Sequence, residues 1–376
     1  MAKPQRLTES RWLRYQRQLY LPEWSEAAQV RLSHLRVLIV GVGGLGCPIS
    51  VYLAAAGVEH ITLVDPDTVS LSNLHRQILF TPVDVGKPKV EVTQNRLREM
   101  NADLNLRSIQ EPFSADNAET LLSDHDLVID GADNLSVTYL INDACQYFKL
   151  PWIYGSVYRF EGQVASFEPG PGCFRCLYPE PPPAEAIPTC NEAGILGMVV
   201  GTAANLQALE VMRLIGQWEQ GLEQEMLLLN LKTMDFHKMK LPTDPQCLGC
   251  GPDAVPLEQR LKSLTAAEPS HGSGRSDWDI AAAEAHLRHY PERVLDVRSF
   301  EERRGGSLTG LHVPLQELKE LQPQKLEDML NPEVPLLVYC QKGMRSRQAV
   351  DYLLSRGFKQ VYSLAGGYET LLQSRI

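Results

Sequence analysis

The chain is short of positive charge, of cysteine and of unbroken apolar stretches, and each shortage closes off a class of function. Lysine and arginine number 36 against 46 acidic residues, giving a net charge of −10. That balance excludes broad, non-specific nucleic-acid binding and leaves room only for local basic pockets. Eight cysteines among 376 residues are too few for a disulfide scaffold. The opening MAKPQRLTES is charged and has no apolar h-region, so no secretory signal is read there. A reducing cytoplasm is the expected compartment, and each cysteine then needs a metal, catalytic or packing explanation. Residues 37–58 make an uncharged run of 22, long enough on paper to cross a bilayer. Gly41, Gly43, Gly44, Gly46, Pro48 and Gly57 interrupt it, and it reads better as strand, glycine loop and helix. The uncharged stretch 195–209 is shorter and also broken by glycine, so no membrane span is expected.

What the chain does have is core material, 44% hydrophobic residues, and a length that predicts two or three domains. The pattern is α/β. Val37–Val40 is a buried strand, followed by the glycine loop, a helix to about Ala56 and a strand Ile61–Val64 ending on Asp65. Leu127–Asp130 repeats the strand pattern, Trp152–Tyr154 and Gln163–Phe167 look like further strands, and Asn191–Ile215 contains a long helix. From Gly251 to about Ser276 the chain is rich in Pro, Ser and Gly and reads as a linker. A second α/β pattern follows. It runs through a helix near Trp278–His289, strands Val294–Val297 and Pro335–Tyr339, a helix Ser346–Ser355 and a strand Gln360–Ser363. The predicted domains are therefore residues 1–251 and 277–376, joined by a linker at 252–276.

Gly41-Val-Gly43-Gly44-Leu-Gly46 lies between strand and helix, where bare backbone can bring N–H groups and a helix N-terminus against phosphate. Asp65, at the end of the next strand, is placed to accept from ribose hydroxyls. This much fits a nicotinamide-dependent oxidoreductase equally well, or glycines that merely allow close packing. The next stretch favours a triphosphate with Mg²⁺. Asp65-Pro-Asp67-Thr-Val-Ser-Leu-Ser-Asn73-Leu-His-Arg76-Gln77, then Gly86-Lys87-Pro-Lys89, gathers cations near a carboxylate-rich strand end. Asp130-Gly-Ala-Asp133-Asn134 adds the further carboxylate a metal would need.

In this order and spacing, GVGGLG, DPDTVSLSNLHRQ, GKPK and DGADN resemble the MoeB/ThiF family, relatives of ubiquitin-activating enzymes, over about residues 8–251. The resemblance implies a Rossmann-like, doubly wound ATP-binding domain that adenylates the C-terminal Gly-Gly of a ubiquitin-like sulfur carrier. It places Asp65 on the ribose and Gly43, Asn73, Arg76, Gln77 and Lys89 on the phosphates. Asp133 falls on Mg²⁺, and Gly41, Gly44, Asp67 and Asn134 complete the nucleotide site. Arg14-Tyr-Gln-Arg17-Gln18 resembles the family's RYxRQ segment, which implies that Arg17 reaches a partner subunit's ATP in a homodimer. Molybdopterin synthesis is the favoured pathway, with thiamine synthesis and tRNA thiolation as alternatives using the same chemistry.

Two CxxC pairs, Cys173/Cys176 and Cys247/Cys250, offer four thiolates to one structural Zn²⁺; two redox dithiols are the competing reading. Cys190 matches the family's TC-x-EAG cysteine, which can form acyl or disulfide links to carrier or persulfide; a loop cysteine without a required role is the competing reading. Cys47 and Cys145 read as buried packers. Cys340-Gln341-Lys342-Gly343-Met344-Arg345 follows a strand and precedes a helix, pointing N–H groups at one sulfur. With Asp296-Val-Arg298 and Gly366-Gly367 it resembles a single-domain rhodanese over about residues 277–376, although one family of phosphatases carries a related loop. The resemblance makes Cys340 the persulfide carrier, with Lys342 and Arg345 favouring anions. Gly305-Gly306-Ser307 departs from the usual G-H-I pattern. A cysteine desulfurase or thiosulfate would supply the sulfur. His286 and His289, spaced i, i+3, read as a solvated helix face.

Overall fold

A strand order of β3-β2-β1-β4-β5-β6-β7-β8 organises the first unit. The computed structural model describes residues 6–181, 194–218, 221–222, 224–252 and 277–374, which divide into two compact units near residue 268. The linker expected at 252–276 lies almost wholly outside the described residues.

In the first unit β1 (Arg36–Val40), β2 (His60–Val64), β3 (Asn105–Ile109), β4 (Leu127–Asp130) and the start of β5 (Trp152–Tyr158) run parallel. β6 (Glu161–Phe167), β7 (Glu225–Asn230) and β8 (Asp235–Lys240) continue the sheet antiparallel. The parallel strands are continuous apolar runs because both their faces are covered; all four residues of β4 are buried. The parallel half places the ends of β1, β2 and β4 side by side, and the expected site residues follow those ends. β3, β7 and β8 are not evident from periodicity. β8 is polar and mostly exposed at the sheet's edge, so it shows no apolar alternation.

Among the described residues one helix, Gly197–Gly216, is long and apolar enough to cross a membrane. Half of it is buried inside this unit, against β5, β6 and the helix Gly46–Ala56. It begins later than the expected Asn191, and 191–193 lie outside the described residues. Cys47 and Cys145 are fully buried, as packers should be, and burial pushes the Cys47 thiol up to about 12.

The second unit is an all-parallel sheet, β11-β10-β12-β13-β9. β9 is Asp277–Trp278, β10 Val294–Asp296, β11 Leu311–His312, β12 Leu336–Tyr339 and β13 Val361–Leu364. Two sequence expectations need correcting here. Trp278 belongs to a strand, held by pairing with β13 and by stacking on Tyr362 with ring centroids 4.2 Å apart. His286 is buried, not solvated: its Nε2 lies 3.0 Å from the Arg293 carbonyl and its ring packs on Trp278. His289 does remain exposed.

Candidate active sites

The glycine loop is wedged tightly into the sheet everywhere except at one point. A Cβ on Gly46 would sit 2.0 Å from the Gly41 carbonyl oxygen, one on Gly41 2.6 Å from that of Gly131, and one on Gly44 2.8 Å from Val200. Gly41 also has φ +88°, a conformation that favours glycine. Gly43 differs, since its nearest neighbour is Gln77 Nε2 at 3.5 Å. Gln77 is 4% exposed, and its Oε1 is buried without a hydrogen-bond partner. Gly43 is thus the one glycine of the loop not crowded by its neighbours, with the Gln77 amide at ordinary van der Waals distance.

Asp65 is buried and accepts from the Val42 N–H at 2.7 Å and the Asp67 N–H at 2.8 Å. It therefore braces the glycine loop. Burial raises its pKa, against the pull of Lys89 and the two N–H donors. Lys89 opens the helix Lys89–Met100; its Nζ lies 2.8 Å from Asp67 Oδ2 and 4.0 Å from Asp65 Oδ1. Desolvation would lower the Lys89 pKa, but the Asp65 and Asp67 carboxylates outweigh it and the net direction is up. Asn73 and Arg76 sit in the turn after β2, and the Arg76 stem passes the loop, 3.7 Å from where a Cβ on Gly44 would lie.

Asp133 is exposed beyond the end of β4. Asn134, expected among the nucleotide contacts, uses its side-chain oxygen to cap the helix Leu135–Phe148, accepting from the Ser136 N–H at 2.9 Å. Asp130 is fully buried, accepting from Thr138 Oγ1 at 2.7 Å and the Ala132 N–H at 3.0 Å. Desolvation raises its pKa to about 7. Sequence reasoning missed Thr138 and Gln207, whose contacts lie 8 and 77 residues away. A glycine inside the β5 pattern, Gly155, was the available signal of a close approach. Arg17 is exposed, with its guanidinium 5.7 Å from the Tyr20 ring centroid. Cys190 lies outside the described residues.

The four cysteines Cys173, Cys176, Cys247 and Cys250 converge, with all Sγ atoms within 4.8 Å of one another. The pairs Cys173–Cys247 and Cys176–Cys250 stand 3.6 and 3.4 Å apart, too long for disulfides. Four sulfurs about 2.3 Å from a tetrahedral Zn²⁺ would stand about 3.8 Å apart, so the cluster fits that ion. Burial, followed by the neighbouring sulfurs, pushes the Cys173 thiol up. The four could be thiolates together only around a cation. Arg175, inside the first CxxC, is clamped to Asp143 by two 2.7 Å hydrogen bonds, fastening the knuckle to the helix Leu135–Phe148.

In the second unit Cys340 directly follows β12 and the helix Met344–Ser355 begins four residues later. The Gly343 N–H donates to Cys340 Sγ at 3.1 Å, and Ser346 Oγ lies 3.6 Å from the same sulfur. Gly366 and Gly367 close over the loop in left-handed conformations, and a Cβ on Gly367 would lie 2.6 Å from the Cys340 carbonyl oxygen. Arg298 is buried and bonded to Asp296 at 2.8 and 2.9 Å; it also donates to Gly306 O at 2.8 Å and Gln341 Oε1 at 3.2 Å. The unusual Gly305-Gly306-Ser307 segment thus supports the loop through the Gly306 carbonyl. Lys342 is exposed, whereas Arg345, expected to attract anions, holds both oxygens of Glu302.

With both sites described, comparison with known proteins decides between ATP and nicotinamide chemistry. The ThiF family matches residues 15–249, and the rhodanese-like domain matches residues 279–373. The chain belongs to the ThiF family. The adenylyltransferase and sulfurtransferase MOCS3 of Anopheles gambiae is 34% identical over 366 residues, spanning 90% of this chain and 81% of the relative. That of Danio rerio is 35% identical over 374 residues, spanning 91% and 80%. The sulfur carrier protein adenylyltransferase of Thermus thermophilus is 38% identical over 260 residues, spanning 67% and 96%. Among solved structures, E. coli MccB with MccA-N7isoAsn superposes with a TM-score of 0.57 at 25% identity, covering 63% of this chain and 74% of MccB. This ThiF-family chain is therefore an adenylyltransferase and sulfurtransferase, and ATP use follows from the family.

Proposed function

We propose that the chain adenylates the C-terminal glycine of a ubiquitin-like sulfur carrier ending in Gly-Gly, then replaces the adenylate with sulfur carried by Cys340. The observation that carries this reading is the pairing, in one chain, of a glycine loop braced by Asp65, itself facing Lys89, with a cysteine loop whose N–H faces the Cys340 sulfur. The names of the MOCS3 and Thermus thermophilus relatives support it.

In the first step the carrier's carboxylate attacks the α-phosphorus of ATP and pyrophosphate leaves. The carboxylate is already ionised, so the site needs cations and positioning rather than a general base. Lys89, Arg76 and Asn73, with Gln77 and the loop N–H groups, would hold the phosphates, and Asp65 the ribose. Asp133 would hold Mg²⁺, which neutralises phosphate charge when bound. Arg17 would complete the site of a partner subunit in a homodimer. Its helix also exposes Trp12 and Leu13, with Tyr20 and Leu21 just beyond, apolar surface suited to such an interface.

In the second step the Cys340 persulfide attacks the acyl carbonyl and AMP leaves, giving an acyl disulfide. Attack by the Cys190 thiolate on the Cys340 sulfur frees the carrier thiocarboxylate and leaves a Cys190–Cys340 disulfide, which an external dithiol resets. We place the adenylyltransferase domain at 1–251 and the rhodanese domain at 277–376. A tether of about 25 residues would raise the local concentration of persulfide at the adenylate. The pathway we propose is molybdopterin synthesis, in the cytoplasm, with a cysteine desulfurase or thiosulfate as sulfur source. Thiamine synthesis and tRNA thiolation would use the same steps with other carriers.

The test is to incubate the protein with ATP, a sulfur donor and each candidate carrier, and to weigh the products. The molybdopterin carrier should gain a thiocarboxylate. Cys340→Ala should keep ATP–pyrophosphate exchange and lose that product; undiminished sulfur transfer in the variant would overturn the proposal.

A further inference from the structure

We infer that Glu302 sets the sulfur-donor specificity of the Cys340 loop, neutralising Arg345 so that organic persulfides are accepted in preference to dianionic donors such as thiosulfate. The inference rests on the sulfurtransferase reading above.

The loop's last residue, Arg345, presents its guanidinium fork to both Glu302 oxygens, Nη1 to Oε2 at 2.8 Å and Nη2 to Oε1 at 2.6 Å. Both side chains are about four-fifths buried, 19% and 20% exposed, so solvent screens the pair weakly. Glu302 is itself held in place. The Ser299 N–H donates to Oε2 at 2.9 Å, and the Glu302 N–H approaches Ser299 Oγ at 3.3 Å, a capping box opening the helix Phe300–Arg303. A carboxylate fixed on one side by its own backbone and on the other by a bidentate arginine has little freedom to swing away. Burial opposes its ionisation, but the Arg345 and Ser299 donors outweigh it, and its pKa lies below the usual carboxylate range.

The same balance recurs in other residues of this unit. Arg298 is bonded to Asp296, Arg347 to Asp277, and Gln341 Nε2 donates to Glu369 Oε1 at 3.2 Å. Each of these guanidiniums is met by a carboxylate, Glu369 adds another through the loop residue Gln341, and Lys342 is exposed.

Donor chemistry is sensitive to that balance. With an organic persulfide, the Cys340 thiolate attacks the outer sulfur of R–S–SH. The S–S bond breaks, R–S⁻ leaves with its electron pair, and Cys340–S–SH remains, so one negative charge passes through the site. With thiosulfate, the thiolate attacks the outer sulfur of S–SO₃²⁻. Sulfite leaves with two charges and Cys340–S–S⁻ keeps one, so the site holds three. A loop whose arginine is already matched by a carboxylate stabilises the second case poorly, and the carboxylate itself repels the dianion.

The experiment measures persulfide formation on Cys340 of the full chain by mass spectrometry at low ionic strength. The donors are thiosulfate, glutathione persulfide and a persulfidated cysteine desulfurase. Wild type should load faster from persulfide than from thiosulfate. Glu302→Gln, which keeps the capping box, should raise kcat/KM for thiosulfate about tenfold while persulfide loading changes by less than about twofold. In an Arg345→Met background the same substitution should change nothing, which a purely structural role for Glu302 would not predict. Loading by only one of the two persulfides assigns the source, small molecule or protein, and supports the inference. An unchanged donor ratio in Glu302→Gln, or a gain that persists without Arg345, overturns it while leaving the sulfurtransferase reading intact. Failure of every donor to load wild-type Cys340 removes that reading and the inference together.

Discussion

Gln207 reaches past β5 to the end of β4, where its Nε2 donates to the main-chain oxygen of Asp130 over 2.7 Å. Gly155 makes the passage, because a Cβ there would lie 2.2 Å from Gln207 Cδ. The bond supplies a partner to a buried carbonyl just beyond the last registered pair of β4 and β5, Ile129 with Ile153. Gly155→Ala should expel the amide and destabilise the first unit by about 2–4 kcal/mol, from overpacking and an orphaned carbonyl together. Gln207→Met keeps the length and removes the donor, and should cost about 1–3 kcal/mol. Urea denaturation measures both. Unshifted midpoints in the two variants would mean that β4 ends securely without the contact.

Lys89 carries a prediction about chemistry. Lys89→Met should lower ATP–pyrophosphate exchange on the order of 10²–10³-fold, the scale of losing a preorganised charge at a transition state. Lys89→Arg should not restore it, since a planar fork cannot replace a compact ammonium 2.8 Å from Asp67 and 4.0 Å from buried Asp65. The folded-state pKa of Lys89 is raised, so its stabilising contribution is complete below lysine's ordinary value and lost only as the pH climbs past the folded one. Exchange activity should therefore show no alkaline loss from this residue near neutrality. A folded Lys89→Met protein, checked by circular dichroism, with normal exchange would remove Lys89 from the site.

Features written locally in the chain are legible in its residues alone. The glycine loop, the paired CxxC motifs and the Cys340 loop each compress their chemistry into a few consecutive residues, and folding brings the four distant cysteines into one cluster. What is not legible depends on contacts across the sequence. Glu302 and Arg345 are 43 residues apart, so the loop arginine's partner cannot be read from the loop. Ser299-x-x-Glu302 is a capping-box signature, and that hides its second engagement. Asn134 follows Asp133 directly, yet its side chain turns back to cap a helix. His286 reads as solvated from its i, i+3 partner His289, because Trp278, which covers it, comes from a strand.

Asp130 gives the first unit a pH signature. Burial raises its carboxyl from the ordinary 3.8 to about 7. The folded state therefore binds a proton that the unfolded state releases, and this contribution to stability is complete below about pH 4. It is lost as the pH rises from there through about 7. Asp130→Asn keeps an acceptor for the Ala132 N–H at the same length and has no proton to lose. Its denaturation midpoint should lack that component of pH dependence between about pH 4 and 7. Parallel wild-type and variant curves across that range would show that Asp130 is ionised in the folded protein.

The cysteine cluster sets the last prediction, which concerns what holds the antiparallel edge of the first sheet. Cys173 and Cys176 follow β6, Cys247 and Cys250 follow β8, and no disulfide joins the described cysteines. Three of the four are buried. Without a cation they could not all ionise together, since burial and the neighbouring sulfurs raise Cys173. Around Zn²⁺ they become a cross-link between chain segments some 70 residues apart, on the order of 10 kcal/mol in comparable small sites. The purified protein should contain stoichiometric zinc, and cobalt exchanged into it should give the absorption of a tetrahedral four-thiolate site. A strong chelator or Cys176→Ser should lower the melting temperature of the first unit. The loss should deepen towards acid pH, where protons compete for the sulfurs. Adenylation measured well below the new melting temperature should fall far less than stability, because the glycine loop and Asp65 follow β1 and β2 rather than the edge strands that the cysteines follow. Full thermal stability after complete removal of zinc would show instead that the four thiols hold that edge as packed, neutral groups.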